Sequence, residues 1–77
     1  MIDTRIKHIF GEVLGVAPEA LGPESSPETI AAWDSLHHMS LLLALEQEFG
    51  VTFPDGDLPE LVSFGKIRAA LSRLEAA

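Results

Sequence analysis

Apolar residues recur at helical spacing in three segments of this chain, and no segment alternates apolar with polar residues as a half-buried strand does. The three segments are residues 2–14, 36–49 and 64–74. Gly15 and Gly50 follow the first two directly, and glycine at such a place readily takes the left-handed conformation that ends a helix. The pattern therefore predicts an all-α protein with three main helices.

The connections between these helices differ in length. The first, residues 16–33, is a long loop in which three prolines and a glycine interrupt regular structure. Its apolar residues are expected to pin it to the helices: Val16, Leu21, Ile30 and Trp33. Residues 18–21 are compatible with a single helical turn, and a short helix is expected at 58–62 after a turn at 55–57. The predicted fold is a small four-helix bundle, three main helices plus one short helix, with a long first loop.

Size limits how such a bundle can be held together. A chain of 77 residues makes one domain, residues 1–77, with a small core. It has no cysteine and no Cys/His cluster, so neither a disulfide nor a structural metal is expected. Packed apolar side chains must supply the stability, and 47% of the residues are hydrophobic. Residues suited to cap the helix starts are Asp3 or Thr4, Asp34 or Ser35, and Ser63.

The net charge of the chain limits the classes of partner that it can bind. Twelve Asp and Glu against five Lys and Arg give a formal charge of −7. Nucleic acids and anionic membranes need clustered basic residues, so we expect neither as a partner. Proteins with basic patches suit such a field better. Charged residues interrupt the first ten positions, which argues against a signal peptide, and we expect a cytoplasmic monomer.

The second helix carries more apolar residues than one buried stripe requires, because they cover well over half of its circumference. Part of this surface should therefore meet something other than the core. The residues expected to face the core are Leu42, Leu45 and Phe49. Those expected to form an apolar docking patch near the start of the helix are Leu36, Met39 and Leu43.

The start of the second helix reads Trp33-Asp34-Ser35-Leu36. Asp-Ser-Leu at this place resembles the signature of acyl and peptidyl carrier proteins. The resemblance extends over essentially the whole chain, through residues 42–50, Val-Leu-Gly-Val at 13–16, Pro54 with the acidic turn at 55–57, and the helix start at Ser63-Phe64.

In that family a serine hydroxyl is joined through a phosphodiester to 4'-phosphopantetheine, so the resemblance implies that Ser35 is the attachment site. It also implies that Asp34 is recognised by the modifying phosphopantetheinyl transferase. A helix N-terminus suits a negative phosphodiester, because unpaired backbone N–H groups and the positive end of the macrodipole lie there. The thiol that forms a thioester belongs to the cofactor, so the chain itself is not expected to be an enzyme.

Each of these residues also has a purely structural interpretation. Ser35 and Asp34 are both common helix caps, and Trp33 is most simply a loop anchor. A Ser-His-Asp hydrolase is disfavoured, since the adjacent His37 and His38 point about 100° apart on a helix and cannot line up with Ser35 as a relay. For the same reason the two histidines do not make a metal site. We expect them to be solvated or to contact partners, with His8 facing solvent.

Carrier proteins of primary fatty-acid synthesis typically have acidic residues early in the second helix, where this chain has His37 and Ser40. Glu46 and Glu48 remain. We therefore expect acyl- or aminoacyl-loading and transferring enzymes of a specialised pathway as partners, such as a polyketide, nonribosomal peptide or unusual acyl pathway. His37, Ser40 and Glu46 should join the docking surface. The alternative is an unmodified helical domain that binds a protein through the same apolar face.

Overall fold

A computed structural model describes residues 2–76 and folds them into three α-helices and two short 3-10 helices. The α-helices are α1 (Ile2–Leu14), α2 (Ser35–Phe49) and α3 (Phe64–Ala76). The 3-10 helices span Pro18–Ala20 and Asp55–Glu60. This part of the chain contains no strand, so the predicted all-α bundle of three main helices and one short helix, with a long first loop, is confirmed.

The helix ends follow local sequence signals at most places. Gly15 and Gly50 end α1 and α2 with φ of 71° and 65°, in the left-handed region that favours glycine. Ser63 caps α3, since its Oγ accepts a hydrogen bond from the Lys66 backbone N–H at 3.2 Å. The cap expected for α1 is wrong, because that helix already begins at Ile2 and includes Asp3 in its first turn.

The core lies where α1, α2 and α3 meet beneath the first loop. Phe10 is at its centre, with its ring edge-on to Trp33 at 5.3 Å and to Phe64 at 5.0 Å between centroids. The residues of α2 that were expected to face the core are buried: Leu42, Leu45 and Phe49.

The first loop is pinned as expected. Leu21 and Trp33 are buried, and Val16 and Ile30 pack half-buried against the core. The loop backbone also completes the start of α3, a contact that the sequence pattern does not reveal. The N–H of Phe64 donates to the carbonyl of Ser25 at 2.8 Å, and the N–H of Gly65 donates to the carbonyl of Pro23 at 3.0 Å. These bonds satisfy two of the donors that a helix start leaves unpaired.

Gly65 is the second of these donors, and its partner is the carbonyl oxygen of Pro23. A Cβ at Gly65 would lie 2.8 Å from that oxygen, which is closer than van der Waals contact allows. Glycine is therefore required here by the close approach of two backbones.

The short helix differs from its predicted position. The sequence predicts a turn at 55–57 and then a helix at 58–62, whereas one 3-10 helix covers Asp55–Glu60. It begins with the N–H of Asp57 donating to the carbonyl of Pro54 at 2.9 Å. It ends because Leu61 turns into the core and is buried.

No helix within residues 2–76 combines the length and apolar character needed to cross a bilayer.

Candidate functional site

Ser35 is the first residue of α2 and is exposed. Of the two residues expected to cap this helix, Asp34 is the cap: its backbone is extended, and its Oδ1 accepts a hydrogen bond from the His37 N–H at 2.8 Å. Within the described residues, Ser35 Oγ enters no hydrogen bond to another protein group. The hydroxyl is thus presented to solvent, and the helix start does not depend on it.

The carboxylate of Asp34 is held in its charged form. The pKa of Asp34 is lowered, first because its oxygen accepts the backbone N–H of His37, and second because it also pairs with the imidazole of His37. His37 Nδ1 lies 2.8 Å from Asp34 Oδ1. A negative charge therefore stands immediately before Ser35, with an imidazole against it.

The two histidines point to different surroundings, as helical geometry predicts. His37 contacts Asp34, whereas His38 Nδ1 accepts a hydrogen bond from Trp33 Nε1 at 2.9 Å. Among the residues described, neither imidazole is hydrogen-bonded to Ser35, so no Ser-His-Asp relay is present. Of the two roles expected for the histidines, solvation or contact with partners, full solvation does not apply to His38, which lies half-buried against the indole ring; contact with a partner stays a prediction.

Burial lowers the pKa of His38, because desolvation disfavours the imidazolium. His8 faces solvent as expected, and its Nε2 lies 3.3 Å from Glu12 Oε1. Across residues 2–76, no three His, Asp or Glu side chains converge as metal ligands do.

The apolar patch on α2 lies outside the core. Leu36, Met39 and Leu43 are 74%, 65% and 57% exposed. Two further exposed apolar residues, Leu58 and Val62, come from the second 3-10 helix and the segment after it. The sequence does not reveal that these two residues lie at the surface, because only the tertiary structure decides which way the segment 58–62 faces.

A groove of about 670 Å³ separates α2 from the second 3-10 helix. The apolar patch forms one wall, and Leu58 with Pro59 contributes to the other. Ser40 and Glu46, both predicted to bind partners, also line this groove. Glu46 has a structural role as well, since its Oε2 accepts the backbone N–H of Phe53 at 2.8 Å.

A second groove, of about 540 Å³, adjoins Ser35 directly. Its walls come from the start of α2, the first loop and the segment before α3, including Trp33, Leu61 and Val62. His38 and Met39 line both grooves and so form the ridge between them. Ser35 thus has an exposed hydroxyl at a helix N-terminus beside one largely apolar groove, which leaves room for a long flexible group attached there.

Comparison with known proteins agrees with this geometry. Residues 4–71 match a family model described as a phosphopantetheine attachment site. Since this match covers most of the chain, the protein belongs to the family of phosphopantetheine-binding carrier proteins, whose covalent cofactor is 4'-phosphopantetheine. More specifically, it is similar to an acyl carrier protein of Thermosynechococcus vestitus, with 40% identity over 57 residues that make up 74% of this chain and 70% of the relative.

Proposed function

We propose that this protein holds an acyl or aminoacyl group as a thioester on 4'-phosphopantetheine attached to Ser35, and presents that group to successive enzymes. The observation that carries the proposal is the position of Ser35, which is exposed at the first residue of α2 inside the family match, where its hydroxyl has no hydrogen-bond partner within residues 2–76. Members of this family act as carriers, and the thiol of the cofactor supplies the chemistry of the thioester.

The helix start provides what a phosphodiester on Ser35 needs. The N–H of His37 is already taken by Asp34, which leaves the N–H groups of Ser35 and Leu36 free to meet the phosphate oxygens. The positive end of the macrodipole offsets the phosphate charge. The Asp34 carboxylate is directed at His37, with Oδ1 2.8 Å from both the backbone N and the Nδ1 of that residue.

Docking is proposed to use the apolar patch together with His37, Ser40 and Glu46. Support comes from the exposure of the patch beside Ser35 and from the groove that Ser40 and Glu46 line. Phosphopantetheinyl transferase is proposed to contact Asp34 in addition, since this carboxylate stands exposed next to the modified hydroxyl. Exposed apolar residues that surround a functional group are typical of partner-binding surfaces.

The pathway is proposed to be specialised rather than primary fatty-acid synthesis. The first turn of α2 contains no acidic residue: half-buried His37 lies in that turn, and exposed Ser40 follows in the next turn. This turn therefore offers no acidic side chain that could pair with a basic patch on a partner enzyme. We therefore expect weak acyl loading and chain elongation with primary fatty-acid synthase enzymes, and efficient loading there would refute this part of the proposal.

The attachment site is tested by incubation with coenzyme A and a broad-specificity phosphopantetheinyl transferase, with intact-protein mass as the measurement. The wild type should gain one phosphopantetheine. Ser35→Ala should gain none while keeping its far-ultraviolet circular dichroism. Ser72→Ala is the matched control, because it removes an exposed serine of α3 outside the proposed docking surface and should still be modified. If several transferases leave the wild type unchanged, the carrier proposal fails, and the exposed apolar patch then favours an unmodified protein-binding domain.

A further inference from the structure

Two side chains that flank Ser35 in sequence, those of Trp33 and His38, contact each other in the fold. Trp33 Nε1 donates a hydrogen bond to His38 Nδ1 at 2.9 Å, and the two rings stack with 6.0 Å between centroids and 28° between planes. The indole is 1% exposed and packs edge-on against Phe10 of α1. One partner of the bond is therefore fixed in the core, and the other lies on the first turns of α2.

This bond links the two ends of the segment 33–38, which contains Ser35. Main-chain hydrogen bonds also hold both ends of this segment. The N–H of Trp33 donates to the carbonyl of Ile30 at 3.0 Å, and the N–H of His38 donates to that of Asp34 at 2.8 Å. The start of α2 is thereby tied to the core through Trp33 and His38, with Ser35 exposed between them.

The chemistry of the bond sets the protonation state of His38. An indole N–H can only donate, so His38 Nδ1 must carry a lone pair and the imidazole must hold its proton on Nε2. Burial disfavours the imidazolium, which agrees with this neutral form. A proton on Nδ1 would set two N–H groups against each other and break the bond.

From this geometry we propose that Trp33 and His38 are positioning residues, which hold Ser35 in the orientation that phosphopantetheinyl transferase requires, and that protonation of His38 releases this orientation. The inference rests on the proposed attachment at Ser35. Among the described residues neither side chain is hydrogen-bonded to Ser35, since the indole N–H and the Nδ1 of His38 bond to each other, so both are positioning residues and not reacting groups.

In the part of the chain that the structure describes, three carboxylates line the grooves that His38 shares: Asp34, Glu46 and Asp55. Asp34 shares the second groove with it, and its carboxylate is engaged by His37. Glu46 and Asp55 line the first groove, which His38 also faces. The remaining walls of the second groove are uncharged. A pH dependence of modification in this segment is therefore attributed to one of the two imidazoles, His37 or His38. A His37→Gln variant shows which of them is responsible.

The test compares the kinetics of modification at pH values from about 5 to 8, where histidines ordinarily titrate. His38→Asn keeps an acceptor, because its Oδ1 can take the place of Nδ1, and it cannot be protonated. His38→Leu has no acceptor. Dividing the wild-type rate by that of His38→Asn at each pH cancels the pH profile of the transferase itself.

We expect kcat of the wild type, relative to His38→Asn, to fall about fivefold as His38 is protonated, which corresponds to one net hydrogen bond. His38→Leu should show about this loss of kcat at every pH, with KM nearly unchanged. His37→Gln should keep the wild-type pH profile. The NMR signal of the single indole N–H, which reports the bond directly, should shift with the same midpoint as kcat in the wild type and not at all in His38→Asn.

Two results would overturn the inference. One is a wild type that is modified at Ser35 while His38→Leu, folded by circular dichroism and with a shifted indole signal, keeps full kcat. The other is a wild-type profile that matches His38→Asn at all pH values although the indole signal titrates. If the wild type takes no group at Ser35 at any pH, the proposed function itself fails, which the mass measurement shows separately.

Discussion

Two leucines of α2 should respond in opposite ways to replacement by alanine. Leu45 is fully buried in the core, whereas Leu43, two positions earlier, is 57% exposed and belongs to the apolar patch. Both substitutions remove the same atoms from the same helix, and neither weakens the helix itself, because alanine has a high helix propensity. The difference between them therefore reports the environment of each side chain alone.

The expected magnitudes follow from burial. Leu45→Ala should lower the free energy of unfolding by about 3–4 kcal/mol, through lost transfer energy and the cavity that remains. Leu43→Ala should cost no more than about 1 kcal/mol, since most of its surface is already in water. A domain of 77 residues has a total stability of about 4–12 kcal/mol, so the first change removes a large share of it.

Urea unfolding, followed through the single tryptophan, gives both free energies. In parallel, the rate of phosphopantetheine transfer should fall for Leu43→Ala and stay near normal for the fraction of Leu45→Ala that is folded. The assignment of the two faces of α2 would be refuted if Leu43→Ala proved as destabilising as Leu45→Ala and were modified at the wild-type rate.

Three further predictions concern the ends and faces of the helices. Met39→Ala should cost no more than about 1 kcal/mol and slow transfer, whereas Phe49→Ala should cost about 3–5 kcal/mol, and equal costs by urea unfolding would contradict this. Gly65→Ala should lower stability by about 1–3 kcal/mol, since its Cβ would lie 2.8 Å from a loop carbonyl oxygen, while Gly56→Ala, whose Cβ meets nothing within 4 Å, should change it by about 0.5 kcal/mol or less in the same assay. Because the pKa of Asp34 is lower in the folded state, its negative charge stabilises the fold. This contribution is complete above the ordinary aspartate pKa of about 3.9, and it is lost as the pH falls through the lower pKa of the folded state. Thermal unfolding should therefore show the wild type losing stability relative to Asp34→Asn on acidification, and a difference independent of pH would count against the contact with His37.

Features that depend on neighbours in sequence could be predicted without the fold. The start of α2 at Asp34 and the ends at Gly15 and Gly50 follow from local hydrogen bonding and from the left-handed conformation that glycine allows. The carrier motif at Ser35 could be recognised in the same way. The split of α2 into a buried and an exposed face was predicted from spacing, because a helix turns each side chain by a known angle.

The second 3-10 helix could not be placed correctly, because its end depends on Leu61 entering a core that the segment itself does not specify. The same applies to the start of α3, where carbonyls of the first loop satisfy the N–H groups of Phe64 and Gly65 across about 40 residues of sequence. Local propensity contains no information about such partners.

The sequence by itself thus determined the three main helices, the glycine ends of α1 and α2 and the motif around Ser35 that resembles the carrier family, since these rest on residues close together in the chain. Only the tertiary structure decided what surrounds Ser35. Packing against Phe10 of α1 fixes the indole of Trp33 at the end of the first loop, and this position allows its N–H to reach His38. A hydrogen bond of this kind requires the two rings to meet at a suitable distance and orientation. The packing of the whole bundle sets this geometry, whereas the separation of five residues in sequence does not.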